Sequence, residues 1–140
     1  MLPLDELDAL KHAVVDAIDR PRTLLPTLGA IREEAGQTIY LNPSSALLSH
    51  VIVVLDGGAL KDLELISQAP SDTPTLGDLV SRWGTARVAR RRPGMPETRT
   101  IIPDLGDRTN VFMLISVDLE EATTDDPSAR ITRVSFSVSR

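Results

Sequence analysis

Two segments of eleven residues, 26–36 and 74–84, begin with the same four residues and both end in glycine. The first reads PTLGAIREEAG and the second reads PTLGDLVSRWG. Self-similarity of this kind is typical of a fold built from related units. The alternative is that PTLG is merely a common way to begin a helix. We expect a duplication, with a leading helix in residues 1–21 and two repeats in residues 22–68 and 70–140.

Both repeated segments are predicted to be short helices. In the second segment Thr75 can cap the first turn, and Asp78 can return a hydrogen bond to complete a capping box. Thr27 is the equivalent cap in the first segment, and the final glycine of each segment suits a helix end. Apolar residues at helical spacing are Leu76, Leu79, Val80 and Trp83 in the second segment, and Leu28, Ile31 and Ala35 in the first.

A leading helix and two sets of strands complete the pattern. Residues 4–19 place apolar residues at helical spacing, with carboxylates in the first turns. Strand patterns follow each repeated segment, at 37–43, 49–55 and 60–67 in the first half and at 85–93, 110–119 and 130–140 in the second. The last strands of the halves correspond, with Leu60, Leu63 and Leu65 matching Ile131, Val134 and Phe136. The last strand also alternates apolar residues with serines, which predicts one buried face and one solvated face.

The expected fold is therefore α+β, a single domain organised as a two-layer sandwich. A half of about 45 residues is too small to hold a stable core alone. The two helix–βββ repeats can solve this by joining their strands into one continuous antiparallel sheet, with the helices covering one face. The other face of the sheet is expected to be open to solvent or to a partner.

Composition excludes several classes of protein. The net charge is −5, and the only aromatic residues are Tyr40, Trp83, Phe112 and Phe136. An acidic chain with few aromatics is poorly suited to bind nucleic acid, so we expect none as a partner. The chain has no cysteine, which excludes disulfides and thiolate chemistry. No apolar run reaches membrane-spanning length, and the acidic start is unlike a signal peptide, so we expect no membrane insertion.

A short capped helix that ends in glycine and leads into an antiparallel meander resembles the repeat unit of the SmpA/OmlA and β-lactamase-inhibitor-protein (BLIP-like) group. The shared motif is T-L-G-x-[IL]-x-x-x-x-G with the strand order that follows. The resemblance covers both repeats, about residues 22–140. The resemblance implies tandem repeats, an exposed sheet face that binds other proteins, and an extracytoplasmic role in bacteria; residues alone leave the compartment unknown. The chain departs from the group because no proline follows either helix, and because no lipobox cysteine is present. Membrane anchoring is therefore not carried over, nor are inhibitory aromatic contacts.

No motif predicts catalysis, a metal or a cofactor. The only histidines are His12 and His50, and neither has acidic neighbours at metal-ligand spacing. Ser49 precedes His50, but neighbouring residues along a strand point to opposite faces and no G-x-S-x-G elbow is present. Adjacent carboxylates such as Glu33 and Glu34 are typical of solvated surfaces. We therefore expect a protein that is not an enzyme and that uses no cofactor.

A basic cluster is the sharpest surface feature of this acidic chain. Candidate partner-binding residues are Arg87, Arg90, Arg91 and Arg92, together with Tyr40. Tyrosine and arginine are enriched at protein interfaces. Two structural alternatives are a solvated edge strand that resists aggregation, and neutralisation of the cluster by the acidic loop 120–126.

The predicted function is that of a non-catalytic protein-binding or scaffold module of a bacterial system. The resemblance alone adds the cell envelope as its setting. Such a module would bind another protein through the exposed sheet face, and an edge strand could also pair two copies into a homodimer. The alternatives are a small-ligand-binding domain with a pocket between the helices and the sheet, and a toxin-neutralising or adaptor protein that acts through its acidic surface.

Overall fold

A computed structural model of the protein describes residues 1–69, 74–89, 98–108, 110–120 and 127–140. Helix α1 is Leu4–Asp16, α2 is Leu25–Leu28 and α3 is Leu76–Trp83, and a 3-10 turn at Pro21–Leu24 precedes α2. The strands are β1 (Gly29–Ala35), β2 (Thr38–Pro43), β3 (Leu48–Asp56), β4 (Ala59–Ser67), β5 (Arg87–Val88), β6 (Thr98–Ile101), β7 (Phe112–Leu119) and β8 (Ile131–Ser139). None of the helices in the described part of the chain is long and apolar enough to span a bilayer.

All eight strands form one antiparallel sheet in the order β1-β2-β3-β4-β8-β7-β6-β5. The α+β class and the continuous antiparallel sheet are therefore confirmed. The last strands of the two halves are direct neighbours at the centre of the sheet, where Leu63 lies opposite Phe136 and Leu65 lies opposite Val134. Within the described ranges each half contributes four strands instead of the predicted three.

The core lies between the helices and one face of the sheet. Leu7 and Val14 of α1 are fully buried, and Trp83 of α3 packs edge-on against Phe136 with ring centroids 6.0 Å apart. The sheet residues buried on this covered face include Ile39, Leu41, Val51, Val53, Leu63, Leu65, Ile101, Ile115, Val117, Val134 and Phe136. The result is the two-layer arrangement expected when amphipathic helices cover one face of a sheet.

The second repeated segment forms the predicted helix α3. Thr75 Oγ1 accepts a hydrogen bond from the Asp78 backbone N–H at 3.2 Å, and Asp78 Oδ2 accepts one from the Thr75 N–H at 2.9 Å. These reciprocal bonds satisfy two backbone donors that the first turn would otherwise leave without a partner. The capping box predicted from the sequence is confirmed.

The first repeated segment does not form the predicted helix, because α2 ends at Leu28 and the chain continues as strand β1. No capping box can form here, since Ala30 occupies the position equivalent to Asp78, and the Thr27 hydroxyl donates to the Leu24 carbonyl instead. Gly29 then adopts φ 153° and pairs with Pro43 of β2. A side chain at Gly29 would place its Cβ only 1.9 Å from the Asn42 carbonyl oxygen. The identical start of the two segments therefore leads into different structures.

Three further boundaries differ from the sequence predictions. Helix α1 ends at Asp16, three residues before the predicted end at 19. Strand β5 contains only Arg87 and Val88, where the pattern predicted 85–93, and most of the remainder lies outside the described residues. Strand β6, Thr98–Ile101, lies between the segments 85–93 and 110–119, where no strand was predicted.

Candidate protein-binding face

The side chains that alternate with the core residues form the other side of the sheet, which we call the open face. The strand register places these residues on it: Thr38, Tyr40, His50, Ile52, Val54, Asp62, Glu64, Ile66, Thr98, Thr100, Phe112, Leu114, Ser116, Asp118, Arg133, Ser135 and Ser137. Most are half-buried by their neighbours. In the described residues, α1 and α3 both pack on the opposite, covered face and leave the open face without a helix over it.

A charged hydrogen-bond network occupies one side of the centre of the open face. Arg133 donates to both carboxylate oxygens of Asp118, with Nε–Oδ2 2.8 Å and Nη2–Oδ1 3.1 Å. Thr98 Oγ1 donates to Asp118 Oδ1 at 2.7 Å. Burial alone would raise the pKa of Asp118, but the hydrogen bonds from Arg133 and Thr98 outweigh it and lower that pKa. The network therefore holds Asp118 ionised and in a fixed orientation.

The Arg133 guanidinium is shared with a second carboxylate on β4. Its Nε lies 3.7 Å from Glu64 Oε1. Burial alone would lower the pKa of Arg133, but the hydrogen bonds and the charge of Asp118, together with the charges of Glu64 and Asp62, raise it. Arg133 therefore remains a cation under all ordinary conditions, and its strongest contacts are to Asp118.

Asp62, also on β4, is stabilised differently. Its Oδ1 accepts hydrogen bonds from Ser135 Oγ at 2.6 Å and from Ser137 Oγ at 3.3 Å, and both serines lie on the neighbouring strand β8. Within the described ranges Asp62 has no salt bridge within 4.0 Å. The centre of the open face thus carries a carboxylate that is oriented by hydroxyl groups and is not neutralised by a bonded cation.

Apolar side chains flank this polar centre on both sides. On β2 and β3, Tyr40 lies opposite Ile52, and the Arg32 guanidinium lies 5.6 Å from the centre of the Tyr40 ring. On β7, Leu114 is half-buried and Phe112 is 50% exposed. The face therefore combines two apolar flanks with a polar, charged centre.

The structure places two of the predicted binding residues on the open face. Tyr40 lies on β2, in the same row of side chains as Arg87, which pairs with Thr100. The strand order puts them near opposite edges of the sheet, so they do not form one compact site. Arg90, Arg91 and Arg92 lie outside the described residues, as does most of the acidic loop that was considered to neutralise them.

Sequence reasoning missed the central residues of the face. Asp62 and Glu64 alternate with the leucines of LKDLELIS, and Arg133 and Ser135 alternate with the apolar residues of the last strand. That alternation was used to predict strands, but the polar half of the pattern was not examined for a site. The polar residues at alternate positions of these two strands were the one feature of the sequence that could have indicated the site.

The reasoning applied to Ser49 and His50 was wrong on one point. A β-bulge between Leu48 and His50 allows Ser49 Oγ to lie 2.8 Å from His50 Nδ1, although the two residues are adjacent in a strand. Ser49 Oγ also lies within hydrogen-bonding distance of the Ile66 and Ser67 carbonyls, and no carboxylate in the described part of the chain pairs with His50. The arrangement is therefore that of a hydroxyl satisfied by the neighbouring strand. Among the described residues no group of three His, Asp or Glu side chains could hold a metal ion.

A groove of about 490 Å³ lies where the connection between α1 and α2 meets the β3–β4 turn. It is lined by Asp19, Arg20, Pro21, Arg22, Thr23, Leu55 and Gly58. Its polar side chains are largely paired already, since Arg22 bonds Glu34 at 2.6 Å and Asp19 bonds Arg140. The groove therefore gives little support to the small-ligand alternative, which requires several polar groups aimed at one bound molecule.

Comparisons of the chain with models of known protein families, with curated proteins and with solved structures found no match.

Proposed function

We propose that this protein is a non-catalytic protein-binding module that engages its partner through the open face of the sheet. The observation that carries the proposal is the combination of apolar flanks and an ordered polar centre on a sheet face over which neither α1 nor α3 packs. A face of eight strands is about 34 Å wide and about 20 Å long, or about 700 Å² before side-chain relief is counted. A standard interface buries roughly 800 Å² per partner, so the open face is large enough for one small interface.

The chemistry of the polar centre favours recognition over catalysis. Asp62 and Asp118 already accept hydrogen bonds from side chains of the same sheet. Asp62 lines a groove of about 260 Å³ that is open to solvent, whereas a reacting group needs a site that excludes water and surrounds the substrate. Carboxylates fixed in this way reduce the entropy lost on binding, because their rotamers are set before the partner arrives.

Site-specific photocrosslinking tests where the partner binds. A photoreactive phenylalanine derivative is introduced at Ile52 on the open face or at Ala9, which is exposed on α1 on the opposite side of the molecule. After irradiation in extract of the native host, we expect Ile52 to give a discrete adduct that Ala9 does not give. The same adducts from both positions, or none from Ile52, would contradict the proposal.

Alanine substitutions then test the two predicted residues that the structure places on this face. Tyr40→Ala should weaken binding of the crosslinked partner about fivefold or more, the effect of losing an aromatic contact at an interface. Arg87→Ala should have a smaller effect, because Arg87 lies at the edge of the sheet where ion pairs are exposed. If Tyr40→Ala lowers the melting temperature and leaves binding unchanged, Tyr40 is a structural residue.

A further inference from the structure

The carboxylates at the centre of the open face have few cations close to them. Asp62, Glu64 and Asp118 lie there, and among the described residues Arg133 is the one cation within 4.0 Å of any of them. Arg32 and Arg87 lie on the edge strands, and Lys61 lines a groove beside Asp62 without forming a salt bridge with it. Arg133 binds Asp118 in a bidentate pair, lies farther from Glu64 and forms no salt bridge with Asp62. Negative charge therefore remains at the middle of the face, along β4. A partner that covers this region would be repelled by acidic groups and attracted by basic ones.

The apolar flanks restrict the shape of the partner. Val54 on β3 and Leu114 on β7 lie in one row across the sheet and are separated by three strand spacings, which is about 14 Å. An α-helix with its side chains is about 10–12 Å wide. A helix that lies along β4 and β8 can therefore place apolar side chains against both flanks while a residue on its midline faces Asp62 and Glu64.

The edges of the sheet are poorly suited to the main alternative, addition of a strand from a partner or from a second copy. The exposed edge strand β1 has a β-bulge between Ile31 and Glu33 and carries the charged residues Arg32, Glu33 and Glu34. The other edge strand, β5, has two residues. Bulges, charges and short length are the features by which edge strands resist pairing. A helix satisfies its own backbone hydrogen bonds and needs no sheet edge.

From these observations we propose that the open face binds an amphipathic helix of a partner protein whose apolar side carries a central arginine or lysine, which pairs with Asp62 and Glu64. This inference rests on the proposed function and specifies its partner. On a helix, residues three and four positions before and after a central residue flank it on the same side. The partner helix should therefore have the pattern apolar-apolar-x-x-basic-x-x-apolar-apolar.

A pair of synthetic peptides tests the inference directly. The first is a fluorescein-labelled helical peptide with Leu-Leu-Ala-Gln-Arg-Ala-Gln-Leu-Leu in an alanine–glutamine host, and the second has citrulline in place of arginine. Citrulline keeps the shape of the side chain and removes its charge. We expect the arginine peptide to bind about five times more tightly by fluorescence anisotropy at low salt, the effect of a partly exposed ion pair. Amide NMR shifts should change at Ile52, Glu64 and Leu114.

Variants of the protein locate the charge effect. Asp62→Asn and Glu64→Gln together should reduce binding of the arginine peptide to the level of the citrulline peptide and leave the citrulline peptide unaffected. Glu6→Gln, which makes the same chemical change on the exposed surface of α1, should leave both affinities unchanged. Equal reduction by Glu6→Gln would show that net charge, and not these two carboxylates, determines binding.

The outcomes separate this inference from the proposed function. If both peptides bind the open face equally well, the proposal that the partner helix carries a basic residue is overturned, and the proposed protein-binding role is unaffected. If neither peptide binds, or if the NMR shifts change only in α1, the proposal that the open face binds a helix is overturned. Failure of the proposed function would appear separately, as the absence of a specific crosslink from Ile52.

Discussion

Gly29 is the residue at which the two repeated segments take different structures, and replacing it gives the sharpest test of the fold. In Gly29→Ala the new Cβ would lie 1.9 Å from the Asn42 carbonyl oxygen and 2.9 Å from the carbonyl carbon. Both are backbone atoms, so no side-chain rotation can relieve the overlap. The start of β1 must move away from β2, which would weaken the pairing of Gly29 with Pro43. A positive φ costs about 1–2 kcal/mol and each lost hydrogen bond costs about 1 kcal/mol, so we expect a loss of about 3 kcal/mol.

Gly36→Ala is the matched control, because Gly36 follows the other end of β1 and no atom lies within 4 Å of its added Cβ. Its φ of 63° still disfavours alanine, which should cost about 1 kcal/mol. Urea unfolding can be followed by the fluorescence of the single tryptophan, Trp83, which is buried against Phe136. Free energies of unfolding for the two variants that agree within about 0.5 kcal/mol would refute the argument that close backbone contact requires glycine at position 29.

Two further predictions concern a helix cap and the pH dependence of stability. Thr75→Ala should lower the free energy of unfolding by about 1 kcal/mol because it removes the capping box. Thr27→Ala should cost less, since Thr27 is not part of a capping box. Equal losses for the two variants in urea unfolding would show that the capping box contributes nothing. Asp118→Asn should cost about 1–2 kcal/mol at pH 7 because a charge-assisted pair with Arg133 is lost. Since folding lowers the pKa of Asp118, its contribution is complete above about pH 4, its unfolded pKa, and disappears as the pH falls through the lower folded pKa. Urea midpoints of the two proteins should therefore converge in acid, and a constant difference from pH 7 to pH 2 would contradict the assignment.

Strand patterns in the sequence predicted most of the sheet. Strands β2, β3, β4, β7 and β8 lie where they were predicted, and β8 shows the alternation of buried apolar residues with serines on which its prediction rested. Strand β6 was missed because one of its two buried positions is not apolar. Arg99 is only 1% exposed and lies opposite Val117 on the covered face. A polar residue at a core position removes the pattern on which strand prediction depends.

The repeated segments show why identical residues can fail to predict identical structure. Both begin with PTLG, but the residues that stabilise α3 come later in the segment. Asp78 closes the capping box and Trp83 packs against Phe136, whereas the first segment has alanine at both equivalent positions. The helix is thus decided by tertiary packing and by one hydrogen bond that the shared residues do not supply.

The polar centre of the open face could not be assembled from the sequence alone. Thr98, Asp118 and Arg133 come from three different strands, and their contact depends on the register of β6, β7 and β8. A shift of one residue in that register would move one of these strands' side chains to the covered face. Sequence patterns indicate which residues share a face of one strand, but not which residues of another strand they meet.

The symmetric strand order gives each position of one half a counterpart in the other, and the two faces of the sheet differ in how well counterparts agree. On the covered face most counterparts are apolar in both halves, as in Leu41 and Ile101, Val51 and Ile115, and Val53 and Val117, but the counterpart of Ile39 is Arg99. On the open face most counterparts differ, as in Tyr40 and Thr100, Ile52 and Ser116, and Val54 and Asp118, although Thr38 and Thr98 agree. Packing of the core imposes a similar requirement on both halves, which accounts for the agreement at most covered positions. No such requirement acts on the open face, so its residues can differ between the halves.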